Sequence, residues 1–133
     1  MDSESVRAHC LSFPHAAENV QWGNDLVFKV AGKIFAVMVL EGPAKYAMSF
    51  KCTEEKFNDL IEREGIDPAP YMARNKWVSI ERFDVLSERE LKALLQTSYD
   101  LVIEKLPKKV RAQLGGPPSP AARPKTSSAK KRR

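Results

Sequence analysis

Between Glu18 and Lys51 the chain carries four short strand-like stretches, and the breaks between them are too short to cross a sheet. The stretches are Glu18 to Trp22, Leu26 to Val30, Ile34 to Leu40 and Lys45 to Lys51. The breaks are Gly23-Asn24-Asp25, Ala31-Gly32-Lys33 and Gly42-Pro43, each with turn chemistry. A parallel partner would need a crossover of roughly a dozen residues or more, so an antiparallel meander is the simplest connection. The third stretch is apolar on both sides and is expected at the centre of the sheet. In the fourth, Tyr46, Met48 and Phe50 alternate with Lys45, Ala47, Ser49 and Lys51; in the second, Leu26, Phe28 and Val30 alternate with Val27 and Lys29. That alternation places Lys29, Lys45 and Lys51 on a polar face, with Lys33 at the adjacent hairpin tip.

Helical patterns flank the meander. Residues 3–12 read as a helix with Ser3 as N-cap and with Val6, Cys10 and Leu11 along one face, ended by Phe13-Pro14. Thr53 to Glu64 forms the second, capped by Thr53, with Glu54 and Glu55 at its positive end and Phe57, Leu60 and Ile61 as its apolar stripe. Gly65 stands where a left-handed C′ residue is wanted. A loop from Asp67 to Lys76 leads to a fifth strand, Trp77 to Arg82. The last helix starts at Ser87 with Glu90 three residues on, a capping-box pattern. Its stripe is Leu91, Leu94, Leu95, Val102 and Leu106, ending at Pro107. The order αββββαβα predicts an α+β fold: a mainly antiparallel sheet with helices packed on one face.

Charge divides the chain in two. Of its 22 Lys and Arg, nine lie in residues 107–133, where there is no acid; the preceding 106 residues hold 13 cations against 17 acids. The last 27 residues also contain five prolines and the Gly115-Gly116 pair, and apart from Val110 and Leu114 nothing large to bury. Such a segment cannot offset its ordering entropy. The expectation is therefore one α+β domain over 1–106 and a basic, Pro-rich, largely disordered tail over 107–133, with 107–114 fraying from the last helix. The longest apolar run, Ile34 to Leu40, is seven residues, against the roughly 20 that span a bilayer. No membrane association is expected. Asp2-Ser3-Glu4 opens the chain without an apolar h-region, so a cytoplasmic location is expected, with Cys10 and Cys52 as free thiols.

Several segments are familiar. Phe13-Pro14, Val27-Phe28-Lys29-Val30-Ala31-Gly32-Lys33-Ile34-Phe35, Phe50-Lys51-Cys52, Pro70-Tyr71-Met72, Lys76-Trp77-Val78 and Ser98-Tyr99-Asp100-Leu101-Val102 resemble, in this order, the MmcQ/YjbR family. The resemblance spans residues 1–106. It implies a compact frataxin/CyaY-like sandwich and a DNA-binding role through a double-wing arrangement of hairpins, with no enzymatic activity. Where many members carry a histidine directly before the tryptophan, this chain has Lys76.

The candidate nucleic-acid contacts fall into three groups, each with a plainer alternative. Lys130, Lys131, Arg132 and Arg133 in the tail would neutralise phosphates and release counterions; alternatively the tail only solubilises. If about five tail cations engaged duplex DNA, log K would fall against log salt with a slope of about −4.5. Lys29, Lys33, Lys45 and Lys51 could position a phosphate backbone, but lysines also keep sheet surfaces and edges soluble, and the acidic body favours that second reading. In the loop from Tyr71 to Trp77, Arg74 and Lys76 would hold phosphate while Tyr71 and Trp77 stack on bases or line a groove; or the aromatic residues merely anchor the loop. Ser98 and Tyr99 default to helix packing.

Catalytic and metal chemistry find little support. His9 and His15, the only imidazoles, lack Cys or carboxylate neighbours at ligand spacing. Cys10 and Cys52 read as inert core thiols. No phosphate-binding loop, nucleophile elbow or dinucleotide fingerprint is present. Iron binding, by analogy with the frataxin-like shape, would call for a dense acidic ridge, whereas the first helix offers Asp2 and Glu4. The expectation is a small non-enzymatic DNA-binding module of low specificity, with no cofactor and no metal. The alternative is a protein- or peptide-interaction module with its groove beside Trp77.

Overall fold

The computed structural model describes residues 1–21, 24–40, 44–69 and 73–113. Helix α1 (Ser3–Leu11) leads into four strands, β1 (Ala16–Gln21), β2 (Asp25–Val30), β3 (Lys33–Val39) and β4 (Met48–Lys51). Helix α2 (Glu54–Leu60) follows, then β5 (Ile66–Pro68), β6 (Trp77–Ile80), α3 (Glu88–Glu104) and α4 (Lys108–Gln113). The strands form one six-stranded sheet in the order β1-β2-β3-β4-β6-β5, every neighbouring pair antiparallel. This is an α+β fold, with β3 inside the sheet as its two-sided apolar pattern requires.

The sheet buries one face under the helices. Phe28, Ala36, Met38, Met48, Phe50, Val78 and Ile80 point into a core shared with Val6 and Cys10 of α1, Phe57 and Leu60 of α2, and Leu91, Leu95 and Tyr99 of α3. A β-bulge between Phe28 and Lys29 on the β2–β3 ladder adds Phe35 to that side. The β2–β3 turn closes through Ala31 and Gly32, both at positive φ (52° and 79°). That is the signature of the primed two-residue turn, whose twist matches the strands it joins.

Several local expectations shift. The N-cap of α1 is Asp2, whose side chain accepts from Ser5 N at 2.9 Å; a carboxylate also complements the helix's positive end, and Ser3 becomes the first helical residue. Helix α2 stops at Leu60 rather than Glu64, and Gly65, at φ 88°, turns the chain into β5. The start of the stretch expected as a loop, Asp67 and Pro68, instead joins Ile66 in β5, a three-residue edge strand where Pro68 is tolerated because no outer neighbour needs its missing donor. Ser87 caps α3 as expected, but the Glu90 carboxylate turns to Arg63 at 2.7 Å. Residues 108–113, expected to fray, form α4, and Val110 packs against the core. Among the described residues no helix is long and apolar enough to cross a membrane.

Candidate cationic cleft

The β3–β4 ladder stops early. Its last pair is Ala36 with Phe50, although β3 begins at Lys33 and β4 ends at Lys51. Beyond that pair the Ser98 hydroxyl of α3 takes up both loose ends, donating to Phe35 O at 2.6 Å and accepting from Lys51 N at 3.0 Å. One buried side chain thus replaces a strand-to-strand contact and satisfies two backbone groups. Past Ser98 the strands diverge, and the end of α3 underlies the gap.

A cleft of about 540 Å³ opens there, lined by Gly32, Lys33 and Ile34, by Lys51, Asn75 and Trp77, and by Val102, Lys105 and Leu106. Its volume lies in the range of roughly 300–1,000 Å³ usual for small-ligand sites. Three of the lining residues are lysines and none is a carboxylate. Among the described residues Lys33, Lys51 and Lys105 form no ion pair. The Lys51 ammonium donates to Asn75 O at 2.9 Å, and burial, then the nearby Lys105 charge, hold its pKa below the usual lysine value. An anion entering the cleft would relieve this like-charge proximity.

The sequence candidates separate in space. Lys33 and Lys51 line the cleft; Lys29 lies on the helix-free face of β2, paired in register with Ile34. Lys45 precedes β4 rather than lying on it; it sits 3.9 Å from Asp67 and over the Tyr46 ring. Tyr46, expected on the core side, instead donates its hydroxyl to Asp67 at 2.8 Å, because β4 is extended only from Met48 and the alternation does not reach back to it. Lys76 holds its ammonium 5.1 Å from the Phe57 ring centre, and its carbonyl accepts from Cys52 N and Sγ. Arg74 is exposed on a short 3-10 turn, Ala73–Asn75. Trp77 is 5% exposed, a wall of the cleft rather than a free stacking surface. Tyr71, Lys130, Lys131, Arg132 and Arg133 lie outside the described residues.

Lys105 is the cleft cation that sequence reasoning missed, whereas Asn75 belongs to the candidate loop from Tyr71 to Trp77. Lys105 is the C-cap of α3, between the apolar positions Val102 and Leu106, and that local position is its only signal. The chemistry of the remaining candidates is muted. Burial pushes the Cys10 thiol up to about 12 and the Cys52 thiol to about 11, so neither is a thiolate at neutral pH. The described residues hold no group of three His, Cys, Asp or Glu able to bind a metal.

Four of the familiar segments contact one another. Tyr99 donates its hydroxyl to Pro14 O at 2.6 Å and stacks on Phe13 at 4.8 Å, while Ser98 joins Phe35 to Lys51. The same architecture exists in solved structures. The chain is similar to the Deinococcus radiodurans protein DR2400, which carries the domain DUF419, at 26% identity and a TM-score of 0.76, over 87% of this chain and 89% of that one. A Pseudomonas syringae protein shares the fold at 18% identity and a TM-score of 0.63, over 76% of this chain and 98% of that one. No match was found among curated proteins. The YjbR family model matches residues 11–101, which cover the sheet, the Ser98 seam and most of α3, and the chain belongs to the YjbR family.

Proposed function

We propose that the protein is a non-enzymatic nucleic-acid-binding module of low specificity that seats backbone phosphate in the cleft at the end of α3. The observation that carries this reading is the convergence of Lys33, Lys51 and Lys105 in one cleft with no lining carboxylate. Unpaired cations around a concave surface raise local anion concentration even on a body with an acidic surplus, because field depends on position and not on net charge. The cations of α4, Lys108, Lys109 and Arg111, follow directly after Leu106, so the basic segment leaves the domain beside the cleft. Lysines hold phosphates as point charges and read no base pattern, which is why low specificity is expected. A peptide groove beside Trp77 has less support, because a ring 5% exposed offers little surface to an apolar anchor.

The test is a salt series of DNA binding by the full chain and by the Lys33→Gln/Lys51→Gln/Lys105→Gln variant. Loss of three phosphate contacts should lower the steepness of log K against log salt by about 2.7. An unchanged slope would assign the affinity to the tail. Absence of binding at low salt would end the nucleic-acid reading altogether.

A further inference from the structure

We infer that Lys51 is an acylation site for small acyl phosphates, with Lys33 and Lys105 holding the phosphate while the amine takes the acyl group. The acylation itself needs no nucleic acid; its effect on binding rests on the nucleic-acid reading above. A lysine acts as a nucleophile only as the neutral amine, which burial or a neighbouring cation favours. Lys45 faces Asp67, Lys92 faces Glu88 and Lys76 lies over the Phe57 ring, and each of these contacts favours the ammonium instead. Lys51 is half-buried and forms no ion pair among the described residues. Burial, and then the Lys105 charge, favour loss of its proton. Its bond to Asn75 O, at 2.9 Å, holds the nitrogen at the cleft and leaves the lone pair of the neutral amine free. Cys52, next along the chain, does not compete: it is buried, its Sγ donates to Lys76 O, and burial pushes the thiol up to about 11.

The same cleft selects the reagent. Its lining holds three lysines and no carboxylate, so an anion entering it meets cations alone. Lys33, at the start of β3, and Lys105, at the C-cap of α3, are exposed and form no ion pair among the described residues. A phosphate drawn to these two carries its activated carbonyl to the third lysine. Lys51 Nζ attacks the carbonyl carbon and the C–N bond forms. The acyl C–O bond to phosphate breaks, and phosphate leaves with the bonding pair beside Lys33 and Lys105, taking up the proton that the amine sheds. The resulting amide keeps one N–H for Asn75 O and loses one positive charge. Acylation therefore removes one phosphate contact from the cleft without breaking the bond that positions the side chain.

The experiment treats the full chain with acetyl phosphate at neutral pH and follows acetylation of each lysine by peptide mass spectrometry. Lys51 is expected to react ahead of Lys29, Lys56 and Lys76, and inorganic phosphate should slow Lys51 selectively. In the Lys33→Gln/Lys105→Gln variant its acetylation should slow about tenfold, from two exposed charge contacts at roughly threefold each. Acetic anhydride acylates amines but carries no phosphate, so its rate at Lys51 should fall less between the two proteins. Equal slowing with both reagents, or a Lys51 no faster than Lys29 with acetyl phosphate, would overturn the inference. Protein acetylated at Lys51 should show a salt slope of DNA binding lower by about 0.9. Prompt acetylation of Lys51 in a protein that binds no DNA would uphold the inference and end the nucleic-acid reading alone.

Discussion

The two ends of α3 treat charge in opposite ways. Near its N-terminus several cations have acidic partners: Arg63 reaches Glu90 and Asp59, Lys92 reaches Glu88, Arg82 reaches Asp84, and across the sheet Lys45 and Tyr46 meet Asp67. Near its C-terminus, about 25 Å away at 1.5 Å per residue, Lys33, Lys51 and Lys105 share a cleft and no carboxylate. The paired end spends its charge on itself in exposed bridges, each of small energetic weight. The unpaired end holds its cations together without a carboxylate, and burial first, then the Lys105 charge, lower the pKa of Lys51. Such an arrangement persists only where packing imposes it, which is what makes that end the candidate site.

The largest expected effect belongs to the framework of the paired end. Gly65 sits at φ 88°, and a Cβ there would lie 2.8 Å from Val85 Cγ2. Gly65→Ala should cost about 3 kcal/mol, from left-handed strain together with overpacking. Urea unfolding checks this, and anion affinity of the folded fraction should not change. Next comes the seam that shapes the unpaired end. Ser98→Ala would orphan Phe35 O and Lys51 N in the interior, a loss of about 2 kcal/mol. Because Lys51 is one of those partners, DNA binding should weaken in the same variant, unlike Gly65→Ala.

Single charge substitutions sharpen the contrast at smaller cost. Arg63→Ala removes two exposed bridges and should lower stability by about 0.5 kcal/mol, with no change in the salt dependence of DNA binding. Lys105→Gln should behave inversely. It should leave stability the same or slightly higher, let the Lys51 pKa rise, and reduce the salt slope by about 0.9. If both substitutions altered stability and binding alike, the distinction between the two ends would fail.

The smallest effect is a pH dependence midway along the molecule. His9 Nε2 is buried with no hydrogen-bond partner among the described residues, and its ring meets Phe13 edge-on at 5.0 Å. Burial first, and then the Lys92 ammonium, lower its pKa below 6.5, outweighing the Lys92 backbone, which acts the other way. A folded pKa below the unfolded one means that the unfolded chain binds more protons in between. His9 should therefore leave stability undiminished above pH 6.5 and reduce it as pH falls from there towards the folded value, with no further change below. Thermal midpoints between pH 5 and 8 should show that slope, and His9→Phe should flatten it.

Much of the architecture is legible from short-range patterns. The glycine breaks specify the meander, the two-sided apolar pattern of Ile34 to Leu40 puts β3 inside, and Thr53 and Ser87 cap α2 and α3 as read. Edges were less legible: β5 is three residues long and ends in proline, and Lys45 and Tyr46 lie outside the extended segment on which alternation depends. Of the expected lysine face, Lys33 and Lys51 reach the cleft and Lys45 does not, while Lys105 joins from a helix end.

What the sequence determined by itself was local: turns, caps, amphipathic stripes and the pooling of cations after residue 106, since each depends on residues a few positions apart. What only the tertiary structure decided was where β3 and β4 part. That is set by Ser98 docking on backbone groups 63 and 47 positions away. Side-chain periodicity carries no information about such a distance. The cleft and its three lysines exist because helix packing opens the sheet there.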